Sequence, residues 1–121
     1  MTGFGYGVNA MKCHPKLEDV SRVEQATYDL LLEIGLPFKR VLWYEWVDEV
    51  GTAAWKGESE DTGFIKLFLG CEAEAVAHEI GHGFHEALNH NSVAVLPFPV
   101  RWPEDGEAVG EALRYFVERR L

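Results

Sequence analysis

The positions at which the backbone has to change direction constrain this chain more than any other feature of its sequence. Gly35 and Pro37 follow a long segment of helical periodicity, where glycine suits the residue after a helix and proline prevents its continuation. Three prolines between residues 91 and 103 exclude a helix from that stretch. Because the longest apolar runs are far shorter than the roughly 18 residues of a membrane-spanning helix, we expect no such helix.

The segments between the breaks predict an α+β fold. Helical periodicity extends over residues 17–34, 72–88 and about 106–119, the last with Asp105 as its N-cap. Residues 38–47 and 64–69 are rich in aromatic and β-branched side chains and are predicted strands, and residues 52–56 can pair back as a third. Short connections favour a meander, hence a three-stranded, mostly antiparallel sheet. Since residues 38–47 carry apolar side chains on both faces, we expect that strand to be interior or partly covered.

Length and composition indicate one globular domain. The chain has 121 residues, of which 47% are apolar, enough for an ordinary core. We expect residues 1–16, where glycines alternate with aromatic residues, to form an N-terminal arm and residues 17–121 to form the domain. Cys13 and Cys71 make at most one disulfide, and we find no secretory signal, so we expect a reduced, cytoplasmic protein.

The charge balance argues against two classes of partner. Twenty acidic and 11 basic residues give a net charge of -9. Such a chain is repelled by the phosphates of nucleic acids and by anionic lipid surfaces. We therefore expect neither a nucleic-acid-binding nor a membrane-binding protein, whereas basic peptides and proteins stay compatible with this charge. The sequence does not indicate the oligomeric state.

The motif that carries chemistry is His78-Glu79-Ile80-Gly81-His82, inside the second predicted helix. Residues four apart lie on one face of a helix, about one turn from each other, so two imidazoles can converge on one zinc ion. Glu79 lies beside them and is expected to act as general base toward a zinc-bound water. Gly81 and Gly83 are unfavourable in a helix by roughly 1 kcal/mol each, unless close packing requires the missing Cβ.

A zinc site of this kind needs a third ligand, for which the chain offers rival candidates. His85 lies about 10 Å along the helix from His78, too far for both to join His82 on one ion, and Cys71 is typical of a small buried side chain. Glu107 can complete the set, and Glu111 can then accept the second ring N–H of a ligand histidine. Spacing alone does not distinguish this arrangement from an ordinary charged stripe on the last helix, formed by Glu104, Glu107, Glu111, Arg114 and Glu118.

The combination of His78-Glu79-x-x-His82 with the later Glu107-x-x-x-Glu111 resembles the gluzincin clan of zinc metallopeptidases. The run that starts at Glu107 is similar to one in the metallopeptidase domain of anthrax lethal factor, and the element order is similar to that of the single-domain minigluzincins. The resemblance covers about residues 17–120 and implies a zincin-like minimal domain with a glutamate-bearing C-terminal helix. It implies zinc ligands at His78, His82 and Glu107. It further implies that Glu79 is the catalytic base and that Glu111 orients a ligand.

The resemblance leaves three features of the site open. Family members often use a tyrosine or histidine to stabilise the oxyanion; no residue matches by motif, and Tyr115 is the first candidate, with Tyr44 and Arg101 as alternatives. In the family, an extended peptide lies along a sheet edge above the cleft, which implies a strand such as Phe64–Leu69. Residues 93–102 can either wall the pocket or pack on the core.

Two functions compete on these grounds. The first is a cytoplasmic zinc metallopeptidase, a hydrolase that cleaves peptides or flexible protein segments. The alternative is a zinc-stabilised binding or regulatory module with little or no peptidase activity, since metal binding can serve the stability of a fold. The sequence offers three good ligands and no convincing fourth, which leaves a position for water or substrate and favours the enzyme.

Overall fold

The computed structural model describes residues 12–36, 38–57, 62–89 and 106–121. They confirm the predicted α+β class, with three helices and a three-stranded sheet. No helix in these ranges is both long enough and apolar enough to cross a membrane. In chain order the elements are α1 (Leu17–Glu33), β1 (Val41–Val50), β2 (Ala54–Gly57), β3 (Thr62–Leu69), α2 (Ala75–Asn89) and α3 (Gly106–Glu118).

Helix α1 lies within one residue of its predicted limits. It buries Val20 and Leu31, two of the apolar residues whose spacing predicted it. At its end Gly35 has a φ of 83°, and the N–H groups of Gly35 and Leu36 donate to the carbonyl oxygens of Leu32 and Leu31. This pattern is a Schellman motif, in which the position of Gly35 favours glycine.

The strand order differs from the predicted meander. β3 lies at the centre, with β1 parallel to it on one side and β2 antiparallel to it on the other. Residues 51–53 join β1 to β2, and three extended residues reach about 10 Å, roughly twice the spacing between neighbouring strands. The connection is therefore long enough to pass from β1 to β2 across the end of β3, which lies between them. The prediction of a mostly antiparallel sheet was wrong, because the sheet is mixed.

β1 is an edge strand that is covered on one face only. Leu42 and Tyr44 pack against the core, whereas Val41 and Trp43 on the other face are more than half exposed. The sequence predicts a strand that is either interior or partly covered, and the structure has it partly covered. The strand also begins three residues later than predicted, and Phe38 is buried just before it.

Helix α2 begins at Ala75, three residues later than predicted. Glu72 and Glu74 lie within the predicted limits but precede the helix, so the predicted start was wrong. The N–H groups of Ala75 and Val76 donate to carbonyl oxygens three residues back, the tighter spacing that often leads into a helix. The side of α2 that faces the core carries Val76, Ala77, Ile80 and Phe84.

Helix α3 ends at Glu118, one residue before its predicted limit. Phe116 is 56% exposed, although it is an apolar residue of this helix. The buried side of the helix consists of Val109, Gly110, Leu113 and Val117.

Part of the expected N-terminal arm lies against the sheet. The carbonyl oxygen of Cys13 accepts a hydrogen bond from the N–H of Gly70 at 2.8 Å, and His14 donates to the carbonyl oxygen of Val47 at 2.8 Å. The boundary between arm and domain stays a prediction. Three expectations fall outside the described residues, namely the rest of the arm (1–11), the N-cap at Asp105 and the non-helical stretch 91–103.

The strand order predicts different effects of mutation at the centre and the edge of the sheet. Ile65 of β3 is fully buried, whereas Val41 of β1 is 62% exposed. We expect Ile65→Ala to lower the free energy of unfolding by about 2–5 kcal/mol and Val41→Ala by less than about 0.5 kcal/mol, as measured by urea denaturation. Equal losses at both positions would contradict the central place of β3.

Candidate metal centre

Helices α2 and α3 cross at two glycines. A Cβ on Gly81 would lie 2.6 Å from the Cα of Gly110, and a Cβ on Gly110 would lie 2.7 Å from the carbonyl oxygen of His78. Both distances are shorter than real Cβ contacts, so neither position accepts a side chain without a shift of the backbone. The glycine in the middle of the histidine motif therefore has the packing reason that the sequence left open.

This crossing brings the histidines of α2 against the glutamates of α3. The Nε2 atoms of His78 and His82 lie 3.1 Å apart. The Glu107 carboxylate reaches both rings, with Oε1 2.7 Å from Nε2 of His82 and Oε2 3.2 Å from Nε2 of His78. One donor atom from each of the three side chains thus lies within 4.8 Å of the other two. These are the three residues that the resemblance to the gluzincins implies as ligands.

The donor set fits a divalent transition metal. Zinc favours imidazole nitrogen and carboxylate oxygen together, whereas calcium and magnesium favour oxygen alone. In a tetrahedral site with ligand distances of about 2.0–2.1 Å, neighbouring donor atoms lie about 3.3 Å apart. Two of the three separations, 3.1 Å between the ring nitrogens and 3.2 Å between His78 and Glu107, are close to that value, and the third, 2.7 Å between His82 and Glu107, is shorter. Three protein ligands leave the fourth position to water or substrate, which is typical of catalytic zinc sites.

Glu111 lies against the second ring nitrogen of His78. Its Oε1 is 2.7 Å from Nδ1, an ion-pair distance. The two groups are not aligned for a regular hydrogen bond, and this buried nitrogen has no other hydrogen-bond partner among the described residues. With a proton on Nδ1 and the two groups aligned, His78 would donate a hydrogen bond to Glu111. Glu111 would then hold His78 in the tautomer whose Nε2 is available to a metal.

Glu79 is a buried carboxylate beside the two histidines, with 7% of its surface exposed. Burial raises the pKa of Glu79 above its usual range, although the neighbouring His78 and His82 act in the opposite direction. The backbone N–H of Trp55 donates a hydrogen bond to this carboxylate and also favours its ionised form. A carboxylate with a raised pKa holds a proton better than an exposed one, which suits a general base.

The pKa of Glu107 is shifted in the opposite direction from that of Glu79. The hydrogen bond from His82 holds the pKa of Glu107 below its usual range, and the charge of His78 adds to the effect. Glu107 is therefore ionised near neutral pH, as a carboxylate ligand must be to bind a metal.

An open cleft of about 560 Å³ lies over the donor group. β2 and the turn before it line one side, and the site-bearing faces of α2 and α3 line the others. Trp55 of β2 packs directly on α2, since a Cβ on Gly83 would lie 2.5 Å from the Trp55 ring. This contact explains the second glycine of the helix and holds β2 at the margin of the cleft.

The two tyrosines that were expected to stabilise the oxyanion lie away from the cleft. Tyr115 is half exposed, and its hydroxyl accepts a hydrogen bond from Arg119. The Tyr44 hydroxyl donates to Glu24 of α1. Neither tyrosine lines the cleft, and Arg101 lies outside the described residues.

The alternative ligands and the expected peptide-binding strand are also placed elsewhere. His85 and Cys71 do not belong to the donor group, although Cys71 lines the cleft. Burial raises the pKa of the Cys71 thiol, which disfavours the thiolate that a metal needs. Phe64–Leu69 belongs to the central strand β3, so the expectation that it offers a free edge was wrong. The edge strand beside the cleft is β2.

Two residues of the cleft were not expected there from the sequence. For Trp55 the sequence favours packing on the core or on the sheet over a ligand-binding aromatic platform, and Arg114 belongs to a charged stripe of the last helix. The available signal for Arg114 was its spacing of three residues from Glu111, which places both on one face of a helix.

No protein-family model, curated protein or solved structure matches this chain. The resemblance to the gluzincins therefore stays a prediction that depends on the two motifs.

Gly81→Ala tests the helix crossing. The crossing predicts that this substitution lowers the free energy of unfolding, whereas helix propensity predicts that it raises it. Alanine is favoured over glycine by about 1 kcal/mol in an exposed helix. Here the new Cβ would overlap Gly110, and we expect a loss of about 1–3 kcal/mol in the free energy of unfolding, together with weaker zinc binding. Urea denaturation and zinc titration measure the two effects. Glu86→Ala, at an exposed position of α2, is the control, and a Gly81→Ala protein more stable than the wild type would contradict the close approach.

Proposed function

We propose that this protein is a zinc-dependent metallopeptidase. The observation that carries the proposal is the convergence of His78, His82 and Glu107 under an open cleft, beside the buried carboxylate of Glu79. A structural zinc site is usually closed by four protein ligands, whereas a catalytic one keeps a position for water or substrate. Three donors that border a cleft favour the catalytic kind.

The residues of the site suit the hydrolysis of a peptide bond. When bound, zinc supplies a Lewis acid that polarises a carbonyl group and lowers the pKa of water. Glu79 would accept a proton from the attacking water and deliver it to the leaving amine. The N–H of Trp55 holds the Glu79 carboxylate in place for both steps, and Glu111 would orient His78.

β2 offers an edge along which an extended peptide could bind. β2 pairs with β3 on one side, and no other strand among the described residues pairs with it. Ala54 and Trp55 of this strand line the cleft. A peptide that adds to such an edge gains main-chain hydrogen bonds irrespective of its sequence. The substrate would therefore be a peptide or a flexible protein segment.

A zinc-stabilised binding or regulatory module is the second candidate. The observation that favours it is the position of Tyr115, because no tyrosine is among the described residues that line the cleft. Without a group that stabilises the oxyanion, the cleft could bind a peptide and cleave it poorly. Zinc would then contribute mainly to the stability of the α2–α3 packing.

We expect the purified protein to bind about one zinc ion per chain, through Glu107 and not through Glu118. Glu107→Ala should weaken zinc binding by more than the roughly 10–100-fold that the loss of an outer partner causes. Glu118→Ala removes a carboxylate from the other end of α3 and should leave zinc binding unchanged. Competition with a zinc indicator measures both variants, and equal losses would mean that Glu107 is not the third ligand.

Glu79→Gln separates catalysis from metal binding. Glutamine keeps the shape of the side chain but cannot accept the proton, so zinc stays bound while peptide cleavage falls by about 10²–10⁴-fold. Metal analysis and a library of fluorogenic peptides measure the two properties. Unchanged cleavage would exclude Glu79 as the base. If the zinc-loaded wild type cleaves no member of the library, the binding module replaces the peptidase as the better proposal.

A further inference from the structure

We propose that Arg114 selects substrates by binding a carboxylate of the peptide, one or two residues from the bond that is cleaved. That carboxylate is either the free C-terminus or the side chain of an acidic residue. The inference rests on the proposed peptidase function and adds a substrate class to it. Arg114 would contact the substrate but not the reacting atoms, so it is a specificity residue.

The position of Arg114 along the cleft determines how far the substrate carboxylate lies from the bond that is cleaved. Arg114 lies about one turn beyond Glu111 on α3, and Ala75 lies about one turn before His78 on α2, and both line the cleft. One turn advances about 5.4 Å along a helix, whereas one residue of an extended peptide advances about 3.3–3.6 Å. A carboxylate one or two residues from the reacting carbonyl group therefore reaches the guanidinium.

This end of the cleft has room for such a group. Its other lining residues include Gly70, Cys71 and Ala75, all of which are small. The Arg114 side chain is only 23% exposed, so its stem is largely held by its neighbours. An arginine that is held in place loses less freedom when it binds a ligand.

The charges along the cleft restrict where a substrate carboxylate can lie. Arg114 is the only side chain with a permanent positive charge among the described residues that line the cleft. The guanidinium is planar and has five N–H donors in a fork that fits a carboxylate. The four carboxylates that line the same cleft would repel a substrate carboxylate at other positions, and they are Glu72, Glu79, Glu107 and Glu111.

Glu72 shows how Arg114 binds a carboxylate. Oε2 of Glu72 lies 2.7 Å from Nη2 of Arg114, and Oε2 of Glu118 lies 3.5 Å from its Nε. The Glu72 side chain is 65% exposed, and an ion pair with so exposed a partner contributes little to stability. A substrate carboxylate can therefore displace Glu72 or share the fork with it.

Two pairs of peptides that differ only in a carboxylate test the proposal. In the first pair, a glutamate one or two residues from the cleaved bond is replaced by glutamine. In the second pair, the free C-terminus is replaced by an amide. With the zinc-loaded protein we expect kcat/KM to be at least about 10-fold higher for the acid in one pair, because a hydrogen bond between charged groups contributes enough free energy for such a factor. The pair that shows the preference identifies the source of the carboxylate, and equal rates within both pairs would overturn the proposal.

Substitutions of the two ion-pair partners separate recognition from a structural role. Arg114→Gln should abolish the preference for the acid, and Arg114→Lys, which keeps the charge but not the fork, should retain part of it. Glu72→Gln removes the competing carboxylate and should strengthen the preference. If the ion pair were only structural, Arg114→Gln and Glu72→Gln would lower the rates for acid and amide alike, and this result would overturn the proposal. Arg120→Gln and Glu33→Gln break an ion pair outside the cleft and serve as matched controls.

Binding measurements keep this inference distinguishable from the proposed function. The zinc-loaded Glu79→Gln protein is titrated with the same peptides, with and without Arg114→Gln. If the wild type cleaves neither member of a pair, the peptidase function fails, but the ratio of the two dissociation constants still decides the role of Arg114. Tighter binding of the acid that disappears with Arg114→Gln would support the inference, and equal binding of acid and amide would overturn it.

Discussion

The contact between Gly81 and Gly110 fixes the distance between the two halves of the candidate site. Packed helices with ordinary side chains at their contact lie about 8–10 Å apart, and the absence of both Cβ atoms lets these two backbones approach closely. The carboxylates of Glu107 and Glu111 thereby reach the two different nitrogens of His78. A glycine inside a helix is unfavourable by about 0.5–1 kcal/mol relative to alanine. The close packing offsets this loss, because a Cβ at either position would meet the backbone of the other helix.

Local sequence patterns predict the helices and the placement of the two histidines on one helix face, because both depend on residues that are near each other in the chain. His78 and His82 are four residues apart, so the helix alone places them on one face. The order of the strands depends instead on distant contacts. β3 lies between β1 and β2 because of the reach of residues 51–53 and the burial of Ile65 and Leu67. No periodicity within one strand contains that information.

The part of the site on α3 was predictable only from the resemblance to the gluzincins. Glu107 lies 25 residues after His82, and its own helix cannot distinguish a ligand from a member of a charged stripe. Arg114 belonged to that stripe as well, and only the packing of α3 on α2 turns it toward the cleft. Tyr115 is the next residue, and consecutive side chains on a helix point about 100° apart. The rotation of α3 that brings Arg114 to the cleft therefore turns Tyr115 outward, where it contacts Arg119.

Trp55 connects the sheet edge to the Glu79 carboxylate. Its ring packs so closely on Gly83 of α2 and Gly63 of β3 that a Cβ on either glycine would lie within 2.5 Å of it. The N–H of Trp55 meanwhile donates to Glu79. β2 has only four residues and pairs with β3 on one side, so its position depends on this ring packing as much as on its hydrogen bonds. A shift of β2 would therefore move the N–H that donates to Glu79, and the close contacts of the Trp55 ring with Gly63 and Gly83 oppose such a shift.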